Sequence, residues 1–170
     1  MFNPEKADGA VRVSKEIKSK GIKVSGTGMQ GHYGLQGPTA AEIEESILKF
    51  KELGVVAITE LDVDVLPPAF EYMGADISMR ADLSDELNPY TEGMPDSIKQ
   101  AQIDRFTEYF EVYLKHSDKI NRVTTWGVTD GDSWKNGWPV SGRTNYALLF
   151  DREGKEKEVV NVLMDLPAKN

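Results

Sequence analysis

Apolar residues recur three or four positions apart in four segments of the chain, a spacing typical of helices that bury one face. Thr39 and Glu42 stand at capping-box spacing before the second segment, and Gly21 and Gly54 follow the first two segments as helix stops. The apolar positions of the four predicted helices are Ala10, Val13 and Ile17; Ile43, Ile47 and Phe50; Ile98, Ile103, Phe106, Phe110 and Tyr113; and Val159, Val160, Leu163 and Met164.

Three segments between these helices have the composition of strands: Ile22–Met29, Val55–Leu61 and Val123–Val128. Val55–Leu61 is apolar without alternation, as expected of a parallel strand that helices cover on both faces. The order α-β-α-β-α-β-α predicts an α/β fold with a parallel sheet, either a barrel or an open doubly wound sheet. No glycine-rich phosphate loop follows any of these strands, which disfavours nucleotide binding.

Residues 63–94 form a connection that is too long for an ordinary loop, and this length predicts a functional loop. Polar and aromatic residues gather just after each predicted strand. Barrels and open parallel sheets both place their sites at this end of the strands. The chemistry of the chain is therefore expected there.

Composition disfavours several classes of function. The 170 residues carry a formal net charge of −8 and no cysteine. An acidic chain without clustered Lys and Arg suits nucleic acid poorly but tolerates an uncharged substrate. Disulfides and thiolate metal sites are excluded. No segment approaches the roughly 18 apolar residues of a membrane span, and we expect no secretory signal at residues 1–4. None of these features identifies the cellular compartment.

Three motifs stand at the ends of the predicted strands. They are Gly-Met-Gln-Gly-His at residues 28–32, Ile-Thr-Glu-Leu-Asp at 58–62, and a tryptophan-rich run at 125–134. Trp-Pro at 138–139 and Gly-Arg-Thr-Asn-Tyr at 142–146 follow the third motif. In this order, and over about residues 2–151, the chain closely resembles glycoside hydrolase family 10, the endo-β-1,4-xylanases.

The resemblance implies a (β/α)8 barrel about twice as long as this chain. By that comparison, residues 1–170 are the carboxyl-terminal half of the catalytic barrel, about strands six to eight with helices five to eight. The first five strands are absent, together with the Asn–Glu pair that supplies the acid/base in the family. Three parallel strands leave sheet edges and a barrel interior uncovered, so we expect another chain or segment to complete the barrel.

Glu60 matches the nucleophile of the family, which attacks the anomeric carbon and forms a glycosyl-enzyme intermediate. Spacing alone explains a glutamate at a strand end equally well by an ion pair. His32 matches a family histidine that touches the nucleophile, and Asp62 shares a strand face with Glu60 because side chains alternate. We expect a hydrogen-bonded row in which Asp62 orients the imidazole and His32 keeps Glu60 ionised.

The same three residues are also open to interpretation as a metal triad, because imidazole and carboxylates bind divalent ions. The family resemblance favours the nucleophile row, and we expect neither a metal nor another cofactor. His116, near a helix end, is interpreted as structural, since a cation is favoured there by the helix dipole.

Gln30, Trp126 and Trp134 resemble family residues around the bound sugar, and the two tryptophans resemble its aromatic walls. Aromatic faces stack on the apolar C–H faces of pyranose rings. A single tryptophan is more often a core residue, but Trp138 adds a third within 13 positions beside a Gly/Asp loop. This clustering favours a binding surface.

Other polar residues near the motifs receive no chemical role. Arg143 and Asn145 match the family and are interpreted as holding loops by hydrogen bonds. Asp64, Asp130 and Asp132 are carboxylates near the motifs, but spacing supports neither the raised pKa nor the reach that a general acid needs. No acid/base is therefore assigned within this chain.

The favoured interpretation is the nucleophile-bearing half of a retaining enzyme that hydrolyses internal β-1,4-xylosidic bonds of xylan. Without an acid/base, the isolated chain is expected to be inactive or weakly active. The alternative is a non-catalytic fragment for carbohydrate binding or assembly. The expected partners are xylan or xylo-oligosaccharides and either the amino-terminal half of the barrel or another copy of the chain, with no nucleic acid and no membrane. The family resemblance implies a secreted or periplasmic location.

Overall fold

A parallel sheet with helices packed against one face is the framework of the chain. The structure, a computed structural model, describes residues 3–70 and 84–167. The helices are α1 (Pro4–Ser19), α2 (Ala40–Phe50), α3 (Ser84–Leu87), α4 (Asp96–Lys115) and α5 (Glu158–Met164), and the strands are β1 (Gly26–Met29), β2 (His32–Gly34), β3 (Val55–Asp64) and β4 (Ile120–Thr125).

The central strand of the sheet is β3. The short strands β1 and β2 pair with it one after the other, and β4 pairs with it along the opposite edge, all in parallel. Within residues 3–70 and 84–167, no further strand joins the outer edges of β1, β2 or β4. Three consecutive strand-and-helix units therefore form an open, parallel arc.

An irregularity in β3 changes which side chains face the helices. Met29 pairs with Ile58 and His32 with Asp62, so β3 contains one more residue than its neighbour over this interval. Pairing with β4 shows a register shift over the same stretch, between Ile58 and Leu61. The extra residue is a β-bulge, which redirects the side chains that follow it.

The burial of apolar side chains along β3 shows this change of face. Val56 and Ile58 are fully buried before the bulge, and Leu61 and Val63 are fully buried after it. The core positions thus switch from even to odd residue numbers. Glu60 consequently lies on the face away from the helices, although an uninterrupted strand would have directed it with Val56 and Ile58.

Local sequence explains the two helices that flank the first half of the sheet. Asn3 caps α1 by accepting a hydrogen bond from the backbone N–H of Lys6. The predicted capping box of α2 is present, with Thr39 and Glu42 bonded reciprocally. Both helices therefore begin where their sequences indicate.

The hydrophobic core lies between the sheet and the helices. Helix α1 packs on α2, α2 on α4, and α4 on α5. Tyr109, which the sequence did not predict as a core residue, is fully buried, and its hydroxyl donates to the backbone oxygen of Pro38 over 2.7 Å. Phe110, which was predicted in the buried face, is only partly buried.

No helix in the described part of the chain has the length and apolar character needed to cross a membrane.

The bounds of the predicted strands need correction. The first begins at Gly26 rather than Ile22, and the second continues to Asp64. The third covers Ile120–Thr125 instead of Val123–Val128, because the chain turns at Gly127, whose φ is +124°. Asn121 and Arg122 concealed the true start of this strand, since both are polar and exposed. Of the predicted functional loop at 63–94, residues 71–83 lie outside the described residues.

Gly54 permits the close approach of β1 and β3. Its φ is +144°, and a Cβ atom there would meet the backbone oxygen of Ser25 and lie 2.8 Å from the adjoining carbonyl carbon. That oxygen accepts the N–H of Val55 over 3.0 Å, the bond that opens the pairing of the two strands. A side chain at position 54 would therefore clash with the carbonyl group that forms the first hydrogen bond between β1 and β3.

We expect Gly54→Ala to lower the free energy of unfolding by at least about 2 kcal/mol, because a positive φ and a backbone clash act together. The matched control is Gly9→Ala in α1, where nothing lies within 4 Å of the new Cβ. That variant is expected to gain roughly 0.5–1 kcal/mol from the better helix former. Urea unfolding followed by circular dichroism measures both, and equal stability of the two variants would contradict the assignment.

Candidate active site

The structure places His32 between the carboxylates of Glu60 and Asp62. Its Nδ1 lies 2.8 Å from Oδ2 of Asp62, and its Nε2 lies 3.0 Å from Oε2 of Glu60. Asp62 is fully buried, whereas about a fifth of the Glu60 side chain is exposed, at 22%. The three predicted residues therefore form a continuous row that ends in an accessible carboxylate, and their chemical roles remain predictions.

Strand pairing accounts for this row. His32 opposes Asp62 in the register of β2 and β3. Beside the bulge, the backbone N–H of Glu60 donates to the oxygen of Gln30 over 2.7 Å, and the N–H of Asp62 donates to the oxygen of Gly31 over 3.1 Å. Gly31 has a φ of +93°, which lets the chain bend between β1 and β2.

The surroundings of His32 favour its protonated form. Burial by itself lowers the pKa of His32, but the hydrogen bond and charge of Asp62, together with the hydrogen bond to Glu60, raise it more. The net pKa of His32 therefore lies above its ordinary value of 6.5. Because both ring nitrogens face carboxylate oxygens, the imidazolium is the form that donates to both.

Trp134 contacts the row directly. Its indole N–H donates to Oδ2 of Asp62 over 2.7 Å, and its ring centroid lies 4.8 Å from that of His32. Trp126 approaches His32 edge-on with centroids 6.4 Å apart, and nearly half of its surface is exposed. The two predicted aromatic walls thus flank the imidazole beside Glu60.

Gln30 precedes the row and is exposed. It lines a cavity of about 620 Å³ together with His32, Gly28 and Lys6. Among the described contacts of Gln30, its backbone oxygen binds the N–H of Glu60. The structure therefore brings Gln30 beside the nucleophile candidate, Glu60, at the edge of this cavity.

Lys135 is a residue of the site that sequence reasoning missed. It is buried, its ammonium lies 4.8 Å from the ring centroid of Trp134, and it is 3.7 Å from Oδ2 of Asp64. Its positive charge opposes protonation of His32. A lysine beside a loop tryptophan has the pattern of a solvated charge, so the sequence held no signal of this burial.

The three carboxylates considered as general acids are engaged elsewhere. Asp64 accepts from the side chain of Asn145 over 2.7 Å, and Asp132 accepts from the hydroxyl of Thr129 over 2.8 Å. Asp130 accepts the backbone N–H of Leu148 over 2.9 Å and forms an ion pair with a partly buried lysine. None of the three contacts Glu60 or His32 among the described hydrogen bonds.

The ion pair of Asp130 joins the tryptophan loop to the segment before α5. Nζ of Lys157 lies 3.2 Å from Oδ2 of Asp130 and also donates to the backbone oxygens of Tyr146 and Leu148. Burial raises the pKa of Asp130 and lowers that of Lys157. These contacts give both residues a structural function.

The remaining predicted residues bind backbone or partner side chains. Arg143 donates from Nε to the oxygen of Leu87 over 2.9 Å and from Nη2 to that of Pro67 over 2.6 Å. His116 lies 2.7 Å from Oε1 of Glu44. The contacts of Arg143 and Asn145 agree with their interpretation as residues that hold loops, and the contact of His116 agrees with a structural role.

In residues 3–70 and 84–167, no group of three or more His, Asp or Glu has the arrangement of a metal site.

Comparison with known proteins yields consistent matches. The family model of glycosyl hydrolase family 10 matches residues 2–166. Endo-1,4-beta-xylanase A of Xylanibacter ruminicola is 43% identical over 98% of this chain and 45% of that protein. An endoxylanase structure of this family, retrieved from a sugarcane soil metagenome, aligns with a TM-score of 0.86 and 39% identity over 96% of this chain and 46% of its own.

A further structural match is a mutant protein solved in complex with xylotriose. It aligns with a TM-score of 0.79 and 26% identity, over 97% of this chain and 46% of that one. The chain therefore spans about half the length of the relatives that it matches. What those proteins bind and hydrolyse is a property of polypeptides about twice as long.

The raised pKa of His32 predicts a titration midpoint above 6.5. A ¹H–¹⁵N nuclear magnetic resonance titration of the imidazole measures it, with His116→Gln removing the signal of the other histidine. Asp62→Asn takes away the strongest acceptor and is expected to lower the midpoint. A wild-type midpoint at or below 6.5 would contradict the proposed proton on His32.

The same pKa shift predicts how stability varies with pH. A histidine whose pKa is raised by folding stabilises the native state fully below the unfolded pKa of about 6.5. That contribution is lost as pH rises through the folded-state pKa. The difference in unfolding free energy between the wild type and His32→Gln is thus expected to be largest below pH 6.5 and to shrink in alkaline solution. A difference that grows with pH would reverse the assigned sign.

Proposed function

The chain belongs to glycosyl hydrolase family 10, and from this membership we propose that residues 1–170 form the nucleophile-bearing, carboxyl-terminal half of an endo-1,4-β-xylanase. The predicted family and the predicted partial (β/α)8 barrel are confirmed by the match over residues 2–166 and by the structural alignments. The observation that supports the proposed chemistry is the clamp of His32 between Glu60 and Asp62.

In the proposed reaction, a carboxylate oxygen of Glu60 attacks the anomeric carbon of a xylosyl unit. The bond from that carbon to the leaving oxygen breaks, and a glycosyl ester of Glu60 forms. Water then attacks the same carbon and releases Glu60, so that the product retains the anomeric configuration. The partial exposure of Glu60 agrees with this role, since the attacking oxygen must reach the sugar.

His32 and Asp62 are proposed to support the nucleophile rather than to touch the sugar bond. A protonated His32 donates a hydrogen bond to Glu60 and stabilises its ionised form. Asp62, with no exposed surface, holds the other nitrogen and so fixes the orientation of the ring. The charge of the row stays negative overall, which suits a carboxylate attacking an electron-poor carbon.

The substrate is proposed to be xylan or a xylo-oligosaccharide, bound between the indoles of Trp126 and Trp134 with Gln30 nearby. Exposed aromatic faces suit the C–H faces of uncharged pyranose rings. A relative of this fold was solved with xylotriose, which supports the choice of sugar. The net charge of −8 is compatible with a neutral polysaccharide.

The proton for the leaving oxygen is proposed to come from outside the described residues. Asp64, Asp130 and Asp132 are bound to structural partners, and no other carboxylate contacts the row in the described part of the chain. General-acid assistance typically contributes about 10²–10⁴-fold to the rate. Hydrolysis of ordinary xylan by the isolated chain is therefore expected to be weak or absent.

The surfaces of the sheet support completion by a second piece. The outer edges of β1 and β4 have no strand partner among the described residues. The face opposite the helices carries a cavity of about 460 Å³. Its lining residues include Gly26, Gly28, Val55, Ala57, Thr59 and Arg122. We propose the amino-terminal half of such a barrel as the piece that covers this face.

Trapping of Glu60 tests the catalytic proposal. A 2,4-dinitrophenyl 2-deoxy-2-fluoro-β-xylobioside needs little protonation of its leaving group, and fluorine slows release of the ester. We expect one fluoroxylobiosyl group per chain by intact mass, located on Glu60 by peptide mapping. Glu60→Gln is expected to abolish labelling, whereas the exposed Glu52→Gln serves as the control that keeps it. Affinity for xylan without any labelling would support the non-catalytic binding fragment instead.

Mixing with an amino-terminal half that carries strands one to five tests completion of the barrel. Sedimentation velocity is expected to show a one-to-one complex, and the mixture is expected to hydrolyse xylan that neither piece cleaves alone. In the matched control, Glu60→Gln still forms the complex but does not restore hydrolysis. A dimer of this chain that excludes the added half would identify a second copy as the partner, and monomers in every mixture would refute completion in trans.

A further inference from the structure

The aromatic contacts of the site continue beyond Trp134. The ring of Trp138 stacks on that of Trp134 with centroids 4.9 Å apart and planes inclined by 22°. Phe70, from the segment after β3, meets Trp138 edge-on at 5.1 Å. Starting from His32, successive rings thus lead outward in contact with one another. Neither Phe70 nor Trp138 has a function in the mechanism proposed above.

The outer two rings are unusually accessible for their size. Phe70 is 59% exposed and Trp138 is 37% exposed, although the two rings contact each other. Adjoining exposed aromatic residues form an apolar patch, and such patches mark binding surfaces more often than scattered apolar residues do. A purely structural brace for Trp134 does not require this exposure.

A cavity lies between Phe70 and the imidazole of His32. It has a volume of about 250 Å³. Its lining residues include His32, Asp64, Leu66, Pro68, Phe70 and Lys135. The carboxylate of Asp64 and the ammonium of Lys135 lie 3.7 Å apart, so their charges largely offset each other. The surface between the row and Phe70 therefore suits an uncharged ligand with apolar faces.

We propose that Phe70 and Trp138 form an accessory platform that binds a further sugar unit of the same saccharide chain, beyond the units at Trp126 and Trp134. The proposal rests on the proposed function, because the platform is continuous with the aromatic wall of that site. Stacking on a pyranose face is the interaction that exposed aromatic rings offer a neutral polysaccharide. The platform makes binding depend on the length of the saccharide.

Chain-length dependence distinguishes the platform from a structural brace. A brace would hold Trp134 in place and would affect short and long saccharides alike. A platform would contact only saccharides long enough to extend from the row to Phe70. Phe70→Ala is the informative variant because the side chain is mostly exposed and its aromatic contact is with Trp138, not with Trp134.

Calorimetric titration of the chain with xylobiose and xylohexaose provides the test. In Phe70→Ala, we expect the affinity for xylohexaose to fall roughly three- to tenfold, the equivalent of one aromatic contact. The affinity for xylobiose is expected to stay unchanged. Met164→Ala, which removes a 79% exposed apolar side chain from α5, is the matched control and should alter neither affinity.

The indole N–H resonances of the three tryptophans report which rings the saccharide reaches, once single Trp→Phe variants have assigned them. Xylohexaose is expected to shift the signal of Trp138, and xylobiose only those of Trp126 and Trp134. Equal losses for both saccharides in Phe70→Ala, or a Trp138 signal that stays fixed while the other two move, would overturn the platform and leave the proposed function standing. If neither saccharide moves any indole signal, the platform and the proposed sugar site at Trp126 and Trp134 are both rejected.

Discussion

The site depends on the additional residue that β3 carries between Ile58 and Leu61. Without it, strand alternation would turn Glu60 toward the helices, where Val56 and Ile58 are fully buried in the hydrophobic core. A carboxylate in that position would lose its hydration without gaining a partner, which is strongly unfavourable. The bulge instead directs Glu60 to the open face. The backbone N–H groups of Glu60 and Asp62 donate to the link between β1 and β2, which keeps β3 joined to both strands. The bulge thus allows one strand to contribute apolar side chains to the core and charged side chains to the opposite face.

Asp62 couples the two parts of the site. One of its oxygens accepts both the imidazole N–H of His32 and the indole N–H of Trp134. The orientation of the aromatic wall and the protonation of the imidazole therefore depend on the same buried charge. Lys135, close to the face of Trp134, adds a positive charge that limits the proton affinity of His32. Packing and electrostatics are consequently inseparable in this region, as is common for buried polar networks.

Much of the arrangement was predictable from sequence because its signals are local. The capping box at Thr39 and the apolar spacing of α2 gave that helix nearly residue by residue. The motifs and strand alternation predicted that His32, Glu60 and Asp62 lie together, although alternation gave no indication of the bulge between Ile58 and Leu61. The start of β4 was missed because its first residues are polar on an uncovered face, and burial of Lys135 depends on contacts distant in sequence. Patterns along a chain report periodicity, whereas register shifts and buried ion pairs arise only when segments meet.

Because β3 has a neighbour on both sides, each group of the row is held by strands that pair within this one polypeptide. The geometry of the row is therefore set by strand pairing within residues 26–64. Under the proposed function, a complementary half supplies the proton donor, while the hydrogen bonds among His32, Glu60 and Asp62 already hold the row within this chain.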